Sequence, residues 1–423
     1  VSRAATRAAA ACVLCLTAAL VLVPSRASAR GPSLPVGLGA AALYVPATGQ
    51  TLYADHDQVE RPIASTTKMM TALVTLEHEH DLETILTYPD YHQAADDSQI
   101  GLRPGDRMTV RDLLIAMMLP SADDAAEDLA DNVGHGSVPR FIDWMNEAAR
   151  RLGLRHTHFA TPIGLDTPGN YSTAADLSRL AEYDLAHFPF FDRVVKLAHA
   201  TLTTGPTTEV ANLNLLVGEY PWVTGVKTGH TSGAGWVLVA SGQRDGMRLI
   251  SSALGVQSDL GSDADALALL DYGYDHFRLR TPVRAHEVLA RPRVKDRPGL
   301  RVPVRAARSW TRVIARDAHV RVDVDVPAQL SGPLPAGAIV GSARVRDGSR
   351  TLATVPVVLD RRLTAVSRLT LAARFVTRPW TLAVIVAGAV VLLGCAVAAG
   401  RRRAAARSPR RRPPRGYGAG WGS

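Results

Sequence analysis

Ile63-Ala64-Ser65-Thr66-Thr67-Lys68-Met69-Met70-Thr71-Ala72 sets a hydroxyl, an amine three residues later and then an apolar run. From Ala64 to Glu79 the apolar side chains fall at Met69, Met70, Leu73, Val74 and Leu76, the spacing of a helix with one buried stripe. On a helix, residues i and i+3 share a face, so the Lys68 amine reaches the Ser65 hydroxyl. A serine is a weak nucleophile until a base takes its proton. A lysine is that base only when burial or nearby positive charge lowers its pKa. Ser-x-x-Lys by itself reads equally well as a helix cap beside a surface amine. Composition favours the chemical reading, because the chain has four lysines (Lys68, Lys196, Lys227, Lys295) against 44 arginines. Arginine serves wherever a generic cation suffices, but it cannot be deprotonated at working pH.

Two further motifs follow. Ser121-Ala122-Asp123 stands before a helical stretch that stops near Gly134. Ser121 with Asp124 also has the form of a capping box, as Thr109 with Asp112 does before Val110–Met118. Lys227-Thr228-Gly229 follows the β-prone Trp222–Val226 and precedes Ser232-Gly233-Ala234-Gly235-Trp236. A strand edge with small residues admits a peptide alongside, and Lys with Thr there can hold a carboxylate. Each motif alone is weak. Together they run in the order Ser-x-x-Lys, Ser-x-Asp, Lys-Thr-Gly, roughly 50 and then roughly 100 residues apart.

That set resembles the penicillin-binding proteins and class A β-lactamases. The text around Ser65 and Lys227-Thr228-Gly229-His230-Thr231-Ser232-Gly233-Ala234-Gly235 is similar to the low-molecular-mass serine D-alanyl-D-alanine carboxypeptidases. So are Thr157–Asp166, Tyr171-Ser172-Thr173-Ala174-Ala175-Asp176-Leu177 and Asn212-Leu213-Asn214-Leu215-Leu216. The resemblance covers roughly residues 38–277 and implies an acyl-enzyme mechanism without metal or cofactor. In it Ser65 attacks the carbonyl between the two terminal D-alanines of a peptidoglycan stem peptide. Lys68 takes the proton, and Ser121 helps pass it to the leaving D-alanine. Lys227 and Thr228 hold the terminal carboxylate, with Asp123, Gly229 and His230 lining the substrate site. The backbone N–H groups of Ser65 and His230 form the oxyanion hole. β-Lactam antibiotics acylate Ser65 in the same way and leave slowly.

One position departs from the family, which usually has Asn where this chain has Asp123. An amide donates and accepts, whereas a carboxylate only accepts. Asp123 is therefore expected to be protonated, or turned to Lys68, with an altered pH dependence. Two rivals stand beside the carboxypeptidase. One is a weakly active or non-catalytic sensor of β-lactam or peptidoglycan. The other is a β-lactamase, which needs a Glu-directed water, and Thr161–Tyr171 carries no Glu.

Length and texture fix the rest of the plan. With 423 residues, 47% of them apolar, the chain has material for two packed domains. Residues 35–277 read as one mixed α/β (α+β) domain of the penicillin-binding/β-lactamase type. Strands are expected at Ala40–Tyr44 and Thr51–Tyr53. A hairpin is expected at Val237–Ser241 and Arg248–Leu254, joined by Gly242–Gly246, and a closing helix at Leu267–Phe277. Residues 281–360 lose helical periodicity. Short Val-rich runs (Val320–Val326, Ala343–Arg346, Leu352–Leu359) separated by Pro/Gly breaks predict a small all-β domain. Residues 361–379 form an amphipathic connector.

The ends set an address. Arg3 and Arg7, an apolar run and Ala27-Ser28-Ala29 predict a signal peptide over 1–29. Residues 380–399 are 20 uncharged, largely apolar positions, about 30 Å of helix, followed by Arg401-Arg402-Arg403. Positive charge stays cytoplasmic, so the expectation is a single-pass cell-membrane anchor with the catalytic domain outside and a basic disordered tail, 400–423, inside. The net charge of +9 belongs to the ends. The tail carries eight arginines and the first 29 residues three, leaving residues 30–400 near −2. Nucleic acid is therefore not an expected partner. The three cysteines lie in the terminal apolar runs, which removes thiol chemistry from the body. The histidines, densest at Glu77-His78-Glu79-His80, show no metal spacing.

Overall fold

The computed structural model describes residues 39–89, 98–367, 375 and 378–405. The expected signal peptide, residues 368–374 and 376–377 of the expected connector and the tail from 406 onward lie outside them. The chain divides into two compact units, Val1–Arg280 with Arg312–Ala318, and Thr281–Thr311 with His319–Ser423.

The first unit is built on a five-stranded antiparallel sheet. Its strands run in the order Gln50–Asp55, Ala40–Val45, Met247–Val256, Gly235–Arg244, Val223–Thr231. Successive side chains alternate faces. Ala40 and Ala42 thus enter one core, while Ala41, Leu43 and Val45 enter the other. Val237 and Val239 go with the first, Leu238 and Ala240 with the second. Helices cover both faces, so these strands read as continuous apolar runs rather than alternating ones. Helices Lys68–His78, Val110–Met118, Asp123–Val133, Val138–Leu152 and Ala174–His187 all contribute to the first core, and Asp259–His276 fills the second. Leu73 and Met69 are fully buried. Truncating such a side chain to Ala costs about 2–5 kcal/mol.

Several elements differ from the sequence expectation. Residues Ala64–Thr67 form a 3-10 turn, and the α-helix begins at Lys68. The expected Gly242–Gly246 loop shrinks to Asp245-Gly246, because Arg244 pairs with Met247. Both turn residues have positive φ, 50° and 75°, the backbone of a tight hairpin turn. The closing helix starts at Asp259, capped by Ser258, because its first turns are polar and do not show an apolar period. The capping box at Thr109 is half made. Its hydroxyl accepts from Asp112 N, but the Asp112 carboxylate turns instead to the N–H and hydroxyl groups of Thr203 and Thr204. The box at Ser121 does not form at all. Ala122 is the cap residue and makes no side-chain bond.

In the second unit a five-stranded antiparallel sheet runs Val288–Ala290, Val304–Ala306, Arg350–Leu359, Ile339–Asp347, Val320–Asp325. Val304, Ala343, Val345, Val355 and Val357 are its fully buried centre. A smaller sheet joins Arg293–Val294 to Arg297–Arg301 and Gln329–Leu330. The helix Pro379–Ala405 has a segment, Pro379–Arg403, whose most apolar 18 residues have a mean hydropathy of 2.7, long and apolar enough to cross a membrane.

Candidate active site

The 3-10 turn sets Ser65 at the surface of the first core and Lys68 beneath it. Ser65 is partly exposed, while Lys68 has no accessible surface. Lys68 Nζ lies 2.9 Å from Ser65 Oγ and 3.3 Å from Ser121 Oγ. It also donates to Asp123 Oδ1 at 2.5 Å. The three groups around one amine come from two segments, the Ser65 turn and the start of helix Asp123–Val133.

Ser121 has a φ of +65°, a left-handed backbone uncommon for a residue with a side chain. This conformation turns its hydroxyl to Lys68 rather than along the following helix, which explains the missing cap. Asp123 bridges two parts of the site. Its second oxygen accepts from Ser98 N at 3.0 Å, and Asp123 N donates to Ser98 O at 2.7 Å. Asp124, next to it, accepts from Ile100, Gly101, Leu102 and Ala125 N–H groups. Burial pushes the Asp124 carboxyl up, while those backbone donors pull it back. The Asp123–Asp124 pair therefore stitches the 98–102 loop to the site. By sequence spacing Asp124 has only a capping role. Two adjacent carboxylates at a helix start were the available signal.

The edge strand Val223–Thr231 forms the far wall. A Cβ on Gly229 would stand 2.9 Å from Ser65 N and 3.0 Å from Ala64 Cβ. Only glycine lets the strand lie this close to the Ser65 turn. Lys227 is almost fully buried, and its Nζ donates to Thr228 O at 3.0 Å. Burial first, then the Lys68 charge, holds the Lys227 ammonium well below the ordinary lysine range, against the opposing pull of Asp123. Thr228 is half-buried and His230 exposed, its ring tilted against that of Trp236 with centroids 4.2 Å apart. Two amines against one carboxylate leave the site a surplus of positive charge when both amines are protonated, which suits an anionic ligand.

A loop omitted from the sequence-derived site backs the Ser65 turn. Asn170 Nδ2 donates to Thr67 Oγ1 at 3.1 Å, and Thr71 Oγ1 donates to Pro162 O at 2.6 Å. Gly164, at φ +97°, packs so that a Cβ there would stand 2.1 Å from Ala64 O. Asp166 accepts from Thr231 Oγ1 and Gly233 N, tying this loop to the hairpin beyond Lys227. All eight residues singled out from sequence thus lie on the Ser65 turn, the Ser121–Asp123 segment or the edge strand. The arrangement can remove a proton from an accessible hydroxyl and hold an anionic group beside it.

Comparison with known proteins places this geometry. A family model described as D-alanyl-D-alanine carboxypeptidase matches residues 36–258. A D-alanyl-D-alanine carboxypeptidase of a Streptomyces strain is 37% identical over 243 residues, 54% of this chain and 84% of its own. DacD of Salmonella typhimurium, also a D-alanyl-D-alanine carboxypeptidase, is 30% identical over 336 residues, 76% of this chain and 85% of its own. Penicillin binding protein 5 from Haemophilus influenzae superposes at a TM-score of 0.65 with 26% identity, covering 79% of this chain and 100% of that one. The chain belongs to the D-alanyl-D-alanine carboxypeptidase family of serine-type peptidases.

Proposed function

We propose that the protein removes the terminal D-alanine from peptidoglycan stem pentapeptides through an acyl-enzyme on Ser65. Lys68 accepts the Ser65 proton as Oγ attacks the penultimate carbonyl. The C–N bond breaks, and Ser121 relays the proton from Lys68 to the departing amine. Lys227 and Thr228 hold the substrate carboxylate at the edge strand, beside Gly229. The N–H groups of Ser65 and His230 bind the oxyanion, where one lost donor costs about 10²–10³ in rate. Water then hydrolyses the ester and returns the proton to Ser65. A β-lactam acylates the same oxygen. Residues 35–277 act as the catalytic domain and 281–360 as a stalk. The apolar helix anchors the chain in the cell membrane with the body outside and the arginine-rich tail inside.

The observation that carries this reading is the 2.9 Å Lys68–Ser65 contact, with the amine buried and the hydroxyl accessible. The test is D-alanine release from a pentapeptide by the full chain in detergent, beside Ser65→Ala. Release by wild type and its loss, by about 10⁴-fold or more, in the variant is expected. Equal release by both removes the proposal. A second reading, a sensor with little turnover, is favoured by the Lys68–Asp123 ion pair at 2.5 Å, in which the carboxylate competes with Ser65 for the amine. Fluorescent penicillin separates them. Labelling of Ser65 with D-alanine release marks the carboxypeptidase, labelling without release the sensor, and rapid drug turnover a β-lactamase.

A further inference from the structure

In the second unit, a cavity of about 680 Å³ is lined by Arg293, Arg297, Arg301 and Arg378, with Asp296 the one acidic residue among the described lining residues. One carboxylate neutralises at most one of four guanidinium groups. A second hollow of about 560 Å³ shares Arg293 and Arg301 and adds Arg291. The bonds that fix these side chains do not cancel their charge. Arg297 Nη2 donates to Thr364 Oγ1, Thr364 O and Ala365 O, and Arg301 Nη1 donates to Arg291 O.

The register adds a cost. Arg293 and Arg301 are direct partners across the antiparallel pair. Like charges directly opposite each other destabilise a strand pair. An anion between them reverses the sign of that interaction, and guanidinium groups match phosphate oxygens in bidentate geometry.

Location identifies the anion. Arg378 lines the cavity and immediately precedes Pro379, the first residue of the apolar helix. Phe375, also in the lining, packs edge-on against Trp380 at 5.6 Å, and the Arg378 guanidinium stands 6.0 Å from the Phe375 ring. Aromatic residues at the end of an apolar helix sit at headgroup level. We propose that this cavity binds the phosphate headgroup of an acidic phospholipid in the leaflet that faces the protein body. The inference rests on the reading of the helix as a membrane span.

The test is native mass spectrometry of the full chain in non-ionic detergent with equimolar phosphatidylglycerol and phosphatidylcholine. Wild type should retain phosphatidylglycerol at least about tenfold over phosphatidylcholine. The triple variant Arg293→Gln, Arg297→Gln, Arg301→Gln should lose that preference. A charge-matched control, Arg284→Gln, Arg321→Gln, Arg350→Gln, should keep it. All three should release D-alanine from a soluble pentapeptide at equal rates, which reports on their fold. Arg301→Gln alone should raise the melting temperature without lipid, because it removes the cross-strand repulsion. Equal retention of the two lipids, or equal loss in both triple variants, overturns the site. Displacement of lipid by soluble polyglycerol phosphate at equal phosphate assigns the cavity to a wall polymer and overturns the lipid. Displacement by inorganic phosphate at that concentration leaves a generic anion site and does the same. Carbonate washing of membranes reads the span separately. A chain that washes off yet selects phosphatidylglycerol ends the span reading and leaves the cavity standing.

Discussion

The Lys68 amine and the Asp123 carboxylate lie 2.5 Å apart with the amine wholly out of solvent. The pair occupies the position from which a proton must be drawn off Ser65. A buried ion pair holds its charges tightly, and breaking it by removing one partner has large effects. The carboxylate stabilises the ammonium form of Lys68, which is the form that cannot accept a proton.

Asp123→Asn should therefore shift the acidic limb of the kcat/KM profile for D-alanine release to lower pH and raise the rate at the acidic end. The amide still accepts from Ser98 N, so the loop contact can survive. Profiles measured on both proteins decide it. Coincident acidic limbs mean Asp123 has no part in setting the state of Lys68.

Lys227 carries a second pH dependence. An ammonium held well below the ordinary lysine range loses its charge at a pH where an ordinary lysine keeps it. A neutral amine makes a weaker bond to a carboxylate. KM for a D-alanyl-D-alanine substrate should climb with rising pH well before the usual lysine value of 10.5 is reached. Lys227→Arg, which stays charged, should flatten that climb while lowering kcat/KM through its different shape. A KM independent of pH up to the ordinary lysine value contradicts this role.

Gly229→Ala tests the close wall. The added Cβ must move the strand away from Ser65 N and Ala64. Overpacking of this kind costs about 1–3 kcal/mol of stability. A displacement of about 1 Å at a reacting centre costs about 10² in rate. The expected signature is a large fall in kcat/KM beside a modest fall in melting temperature, measured on one preparation. An unchanged rate would show that the strand does not need this contact.

Asp128 bears on stability. It lies on the helix that follows Ser121, fully buried, with Oδ1 accepting from Asn132 Nδ2 at 2.6 Å. Burial pushes its carboxyl up to about 7 from 3.8. A raised folded-state value means the folded protein holds a proton that the unfolded chain releases. This stabilising contribution is complete below pH 3.8 and is lost as pH rises through about 7. Asp128→Asn should remove that loss, gaining about 1–3 kcal/mol at pH 8 and little at pH 4. Denaturant melts at the two values measure it. A gain equal at both pH values shows that ionisation of Asp128 is not the cause.

Legibility followed range along the chain. The helix after Lys68, the first two strands and the apolar span are written in periods of 3.6 and 2 and in run length, and the structure has them within a few residues. The errors fell where a local rule lost to a distant partner. Ser121 and Asp124 have the spacing of a capping box, yet one turns to Lys68 and the other to the 100–102 backbone. Asp112 was drawn away from its own helix start by Thr203 and Thr204. The closing helix was cut short because its polar first turn shows no apolar stripe.

By itself the sequence determined the element types, the order of the three motifs, and a lysine kept where arginine is the habit of the chain. These depend on neighbours in the chain, through backbone sterics and the period at which apolar side chains recur. Only the tertiary structure decided that Asp123 bonds Lys68, that Gly229 closes on Ser65, and that Arg293 faces Arg301. Those relationships depend on which groups lose water together and in what register strands pair, and neither is encoded in the spacing of a single segment.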